Sequence, residues 1–147
     1  PGSQDFNHTN MRYKKGFRLL TLGWSDGNTF LPVNSCLMAS SKESNIIGPQ
    51  KDFDKRSIAG KRRKLAQMKA IDTMLQLLDM ATAQGITADY VLFDSWFSNP
   101  AQLTAIKSRG MDVIAMVKKS SRINYEYEGE KLNIKQIYAK NKKSSGY

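Results

Sequence analysis

The chain has 147 residues, 40% hydrophobic and 24% charged, a balance that fits a folded domain with a real core and excludes a disordered tail. Its formal net charge of +10 favours polyanionic partners, nucleic acid above all. No apolar run approaches the ~20 residues that cross a bilayer, so no membrane partner is expected, and no secretory signal is visible.

The start, Pro1-Gly2-Ser3, has the composition of a scar left by cleavage of an expression tag, and residues 1–3 are set aside on that reading. His8 reads as a polar loop residue rather than a metal ligand. Residues 17–38 read as a β-hairpin. "FRLLTLGW" and "NTFLPVNSCLM" are rich in apolar and β-branched residues, and the Asp26-Gly27 pair between them is a strong hairpin signal. Asp26 is therefore a turn residue before it is a catalytic one. Pro32 requires an edge or a bulge in the second strand. Cys36, the single cysteine, excludes an internal disulfide, fits a reducing setting and reads as a buried small hydrophobe.

Residues 40–60, "SSKESNIIGPQKDFDKRSIAG", read as a connecting loop. "KRRKLAQMKAIDTMLQLLDMATAQG" then reads as one helix. Leu65, Met68, Ile71, Met74 or Leu75, and Leu78 form its apolar stripe, and Gly85 stops it. Lys61, Arg62, Arg63 and Lys64 would open that helix, where cations oppose the macrodipole. Local stability then does not explain the cluster, to which Lys55 and Arg56 add. A phosphate backbone does, against the plainer reading of a solvated charged face.

"ITADYVLFDSWF" reads as a buried strand ending in Asp94. "PAQLTAIKSRG" reads as a short helix with Pro100 in its first turn and Gly110 at its end, and "MDVIAMVKKSS" as a second buried strand. "INYEYEGEKLNIKQIY" alternates around Glu128-Gly129 as a second hairpin with a short helical continuation, followed by a basic, frayed tail at 139–147. A hairpin followed by helix, strand, helix, strand describes an α/β domain with a mixed sheet.

Acids at strand C-terminal ends of such sheets face ligand crevices. Four readings of Asp94 compete. It is a surface acid capping the next helix, a ribose-binding acid without the Gly-rich loop this needs, a phosphatase nucleophile without an Asp-x-Asp pattern, or one ligand of a multi-carboxylate metal site. The basic composition favours the last. Phosphodiester chemistry typically uses two ions about 4 Å apart, beyond one carboxylate. Ser95 beside the acid has no base to activate it.

Three blocks, "KGFRLLTLGWSDGNTFLPV", "DKRSIAGKRRKLAQMKA" and "ADYVLFDSWFSNP", together resemble bacterial insertion-sequence transposases of the DDE class, of the insertion-sequence-4 type. The resemblance runs from about Asp5 to Tyr138. It implies a ribonuclease-H-like fold in which two aspartates and a glutamate hold two Mg2+ (or Mn2+) ions. It also implies DNA as partner, both transposon ends and target, action as a homo-oligomer on DNA, and a cytoplasmic, nucleoid-associated bacterial setting. Asp94 matches the second aspartate. The strand bearing the first should precede residue 5, and Asp5 lies in a polar stretch that is a poor substitute. The Tyr…Arg…Glu…Lys signature of the glutamate helix is absent as well, and Glu126, Glu128 and Glu130 lie in or beside the second hairpin. The resemblance thus implies an incomplete catalytic domain over 4–138, inactive alone, with an inserted β region starting near 122. Trp96 joins Lys55, Arg56 and Lys61 to Lys64 as a DNA-contact candidate by base stacking. The rival functions are a noncatalytic DNA-binding remnant of a decayed element and a structural self-association domain.

Overall fold

A computed structural model describes residues 3–7, 12–48, 52–117 and 119–144. His8 lies outside them. The fold is α/β, with eight strands paired in four two-stranded sheets and four α-helices among the described residues. A single mixed sheet is therefore not what the strand pairing gives. No described helix is long and apolar enough to cross a membrane. The chain divides into two compact units, Pro1–Thr87 and Ala88–Tyr147.

The first unit opens with β1 (Ser3–Asn7) antiparallel to β2 (Arg12–Gly16), with Asp5 opposite Lys14. These strands are too polar to be legible in the sequence, and β1 begins at Ser3, one of the three residues set aside. The expected hairpin follows as β3 (Arg18–Ser25) and β4 (Phe30–Met38). Its turn closes as Asp26 Oδ1 accepts from Asn28 N at 2.9 Å and Thr29 N at 2.7 Å, while Gly27 takes the left-handed conformation at φ 93°. Pro32 lies at a bulge: Leu22 faces Asn34 but Gly23 faces Pro32, leaving Val33 extra. The Phe30 ring fills the space where a side chain on Gly23 would stand.

Alternate hairpin residues face the helices. Cys36 and Met38 form the core with Leu77, and Leu20, Leu22, Leu65, Ala66 and Ala70 pack against it. The opposite face, with Leu19 across from Leu37, is exposed.

The long helix expected over 61–85 is two helices, α1 (Ile58–Ala66) and α2 (Ala70–Ala83). The break has a long-range cause. Ala39 N donates to the Ala66 carbonyl at 2.9 Å, and Thr73 Oγ1, on a fully buried residue, donates to the Leu65 carbonyl at 3.2 Å. The last carbonyls of α1 are thereby satisfied without a further helical turn, and Lys69 is extended at ψ 139°. The buried apolar residues of α2 are Met74, Leu77, Leu78 and Ala81: Met74 and Leu78 are as expected, Leu77 and Ala81 join them, and Ile71 is only half-buried. Gly85, at φ 79°, ends it as expected. Trp24 Nε1 donates to the Thr87 carbonyl at 3.1 Å, fastening the hairpin to the chain just past α2.

The second unit pairs β5 (Tyr90–Phe93) in parallel with β6 (Asp112–Ala115) across α3 (Pro100–Lys107). Val91, Ile106 and Met111 are its buried apolar residues. The expectation of buried strands holds for only part of each: Val91 is buried, but Leu92 is 68% exposed and Ile114 55%. The hairpin β7 (Tyr125–Tyr127) and β8 (Glu130–Leu132) turns on Glu128 and Gly129, both at positive φ, the signature of a type I′ turn. Of the tail expected to fray, residues 139–144 belong to α4 (Ile134–Ser144), and 145–147 lie outside the described residues. Asn133 Oδ1 accepts from the Lys135 and Gln136 amides, and Gln136 Oε1 accepts from Asn133 N, a reciprocal capping box. Tyr127 Oη donates to Asn141 Oδ1 at 3.0 Å and Lys140 pairs with Glu130 at 2.9 Å, tying α4 back to the hairpin.

Candidate functional site

Asp94 follows the last residue of β5 and is exposed. Its Oδ1 accepts from Trp96 N at 2.9 Å, so the carboxylate sets the turn 95–97 that leaves the strand. It does not cap α3. That cap is Asn99, whose side chain accepts from Gln102 N at 3.2 Å with Pro100 at the helix start. The helix-cap reading of Asp94 is thereby removed, and one of its oxygens remains uncommitted to the turn.

The two aromatics after the acid separate as the turn rotates. Phe97 packs edge-on against Phe93, ring centroids 6.2 Å apart at 66°. Trp96 is 55% exposed. Beneath them, Ser98 is buried and its Oγ donates to the Ser95 carbonyl at 3.2 Å, which stiffens the turn. A strand continuing through Trp96 and Phe97 would have put them on opposite sheet faces; the turn instead leaves one ring half-buried against Phe93 and the other at the surface.

One carboxylate is a poor divalent-ion site. Magnesium wants six oxygens in near-octahedral order, commonly with one or two carboxylates. Among the described residues no three His, Cys, Asp or Glu side chains gather where an ion could sit. Glu130 is engaged by Lys140, and Glu126 and Glu128 lie on β7 and its turn rather than on a helix. The described residues therefore do not compose a two-ion centre.

The candidate DNA-contact cations, Lys55, Arg56 and Lys61 to Lys64, lie in the first unit. Because Ser57 caps α1, accepting from Gly60 N at 3.0 Å, the helix begins at Ile58, earlier than the sequence pattern implied. Lys61 to Lys64 then occupy its middle and end, and Arg63 and Lys64 fall in its last turn. There cations favour the macrodipole instead of opposing it. Helix stability accordingly accounts for part of this cluster, contrary to the expectation. Arg56 pairs with Asp54 at 3.3 Å. The Arg56 amide, then its guanidinium, hold the Asp54 carboxyl below its usual range.

The structure gathers three of the six cations around one cleft. Lys55, Arg63 and Lys64 line it with Asp52, Phe53 and Gln67, while Arg56, Lys61 and Arg62 are not part of its lining. The Arg63 guanidinium lies over the Phe53 ring, 4.5 Å from its centroid. Phe53 escaped the sequence reading because a lone aromatic in a polar loop has no periodicity. Cys36 is no nucleophile: burial pushes its thiol up, only partly opposed by Arg62.

No curated protein and no solved structure matches the chain. The family model described as DDE superfamily endonuclease does match, over residues 1–132, which include β1 to β8, the Asp94 turn and the cation-lined cleft. The chain belongs to that family, nucleases that act on DNA and typically use divalent metals.

Proposed function

We propose that the chain is part of the catalytic domain of a bacterial DDE transposase of the insertion-sequence-4 type, with a ribonuclease-H-like arrangement in the whole protein. The observation that carries this reading is Asp94. It lies at the C-terminal end of a strand of a parallel pair, exposed, released from helix capping and inside the family-matched residues. In this role Asp94 supplies one carboxylate toward Mg2+ or Mn2+, and the first aspartate and the glutamate come from outside these residues. Transposon-end and target DNA are the substrates, with copies of the protein assembling on DNA in the cytoplasm. Lys55, Arg56, Lys61, Arg62, Arg63, Lys64 and Trp96 are its candidate DNA contacts.

A noncatalytic DNA-binding remnant is the second reading. Its support is the basic composition, net charge +10, which needs no catalytic site to bind DNA.

A plasmid-nicking assay with Mg2+ or Mn2+ tests the proposal. The chain by itself is expected to be inactive, and metal binding at Asp94 to be no tighter than about millimolar, as so few ligands imply. Cleavage by this chain that is lost in Asp94→Ala would show a complete site within these residues and overturn the incomplete-domain reading. In the parent protein, cleavage that depends on Asp94 supports the transposase, and DNA binding with no cleavage supports the remnant.

A further inference from the structure

The cation-lined cleft has a wall that depends on one missing side chain. Residues 52–55 lie against the outward face of α1 where Gly60 stands. A Cβ on Gly60 would meet the Asp54 carbonyl oxygen and come within 2.8 Å of Lys55 Cα. Backbone cannot yield as a flexible side chain would, so glycine lets this segment approach the helix. The result is a cleft of about 850 Å³ between loop and helix, a volume within the range of small-ligand sites.

Its chemistry is specific in kind. Lys55, Arg63 and Lys64 outnumber the one acid, Asp52, so the cleft attracts anions. Phe53 is 42% exposed, so part of its ring is open to a ligand. The Arg63 guanidinium covers one part of it and fixes its orientation. A held ring with exposed surface, set among cations, offers a platform for a flat, electron-rich group joined to phosphates. In a duplex the base faces are buried in the stack; in an unpaired strand they are free.

We infer that this cleft is a single-stranded DNA subsite, in which an unpaired base stacks on Phe53 and the adjoining phosphates pair with Lys55 and Lys64. The inference rests on the DNA reading above and sharpens it from duplex to unpaired strand. Gln67, at the same wall, donates through Nε2 to the Ser40 carbonyl at 3.4 Å and has a second N–H for a base edge or a phosphate. The Trp96 platform belongs to the other unit and is not needed for this subsite.

The test uses the whole 147-residue chain and fluorescence anisotropy with three labelled oligonucleotides at one low salt concentration: a single strand, an abasic strand of equal length and charge, and a duplex. The wild-type chain is expected to bind the single strand about fivefold to tenfold more tightly than the abasic strand, the low end of one base stacked on an aromatic ring. Phe53→Leu keeps an apolar side chain and should erase that difference while leaving abasic and duplex affinities unchanged. Phe53→Trp should restore it, and the single strand, unlike the abasic one, should quench this variant by more than it quenches the wild-type chain, whose Trp24 and Trp96 set the background. Equal wild-type affinity for the single and abasic strands, or a difference that survives Phe53→Leu, overturns the subsite and leaves the DNA reading standing. Failure to bind any of the three overturns both. If Phe53→Leu melts below the assay temperature, the quenching of Phe53→Trp in excess of wild type decides alone, and its absence overturns the subsite.

Discussion

The two units place their candidate functional charges in different settings. In the first, cations sit on and beside a capped helix, where the macrodipole accommodates two of them and one of these, Arg63, also stacks on a phenyl ring. In the second, a single acid sits where a strand ends, and its own backbone hydrogen bond builds the turn that exposes it. The contrast shows two routes to a charged surface. A helix can carry many like charges on exposed positions at little local cost. A strand end holds one charge, but on a rigid support. Binding of a polyanion suits the first arrangement, and placement of a catalytic carboxylate suits the second.

The largest expected effect falls on the acid. In the parent protein, Asp94→Asn should lower strand cleavage on the order of 1,000-fold or more, since several kcal/mol of metal-assisted stabilisation would be lost and each 1.36 kcal/mol is tenfold. DNA retention should stay near wild type. Asn keeps the Oδ1 that accepts from Trp96 N, and the helix that follows is capped by Asn99, so neither the turn nor α3 should suffer. Cleavage and gel retention measured side by side decide it. Near-normal cleavage would make Asp94 a turn residue only, chemically equivalent to Asp26.

The next effect separates the units by their cores. Leu77 and Ile106 are both fully buried, one in each unit. Truncating either to Ala should cost about 2–5 kcal/mol in denaturant unfolding. Hydrogen exchange should then show where the loss is felt. Leu77→Ala should deprotect β3, β4, α1 and α2, and Ile106→Ala should deprotect β5, α3 and β6. Uniform loss across the chain in both variants would mean that the charged surfaces belong to one cooperative body, and the contrast between units would lose its energetic basis.

A smaller effect concerns the cations. Neutralising Arg62 and Arg63 together to Gln should weaken duplex binding alike for every sequence and reduce the slope of log affinity against log salt by about 2, one unit for each phosphate no longer neutralised. Wild-type binding should be weak, without sequence preference and steeply salt-dependent. A slope unchanged by the double substitution would assign the α1 cations to helix stability alone, the role that the last-turn position of Arg63 and Lys64 already supplies.

What the sequence displayed of all this follows from how local each cause is. The Asp26-Gly27 turn, the Pro32 bulge, Pro100 at the start of α3, the stop glycines and the acid after β5 are set by residues within a few positions of one another, and all were legible. The break between α1 and α2 was not, because it depends on donors from Ala39 and Thr73 that arrive only with the tertiary fold. The exposed faces of β5 and β6 were hidden for a like reason: an apolar run states what a strand could bury, not what covers it. The cap on α4 was readable as Asn133 followed three positions later by Gln136, but the basic composition beyond it drew the reading toward a frayed end. For the site, the placement of Asp94 was local and visible. The cleft at Phe53 was not, since the close approach of residues 54 and 55 to Gly60 that helps to shape it has no sequence pattern of its own.

The smallest effect tests whether the two strand-end acids differ in kind, using pH. Asp26 Oδ1 accepts from the Thr29 amide, the larger influence, and from the Asn28 amide, and these bonds hold its carboxyl below the ordinary value of 3.8. A carboxyl depressed in the folded state stabilises the fold above its unfolded pKa, and this contribution is lost as pH falls through the folded one. The window is therefore acidic, below about 4. Asp26→Asn keeps the acceptor oxygen but not the charge, so its melting temperature should lie slightly below wild type at neutral pH, and the two should converge as pH drops through that window. Asp54 is depressed as well and titrates in both proteins, so only the difference between their melting curves reports on Asp26. A gap that persists unchanged into strong acid would show that the charge is irrelevant to this turn and that the side-chain shape and Gly27 hold it. Convergence would establish Asp26 as an acid committed to structure, the opposite of the exposed Asp94, which makes one backbone hydrogen bond in place of two.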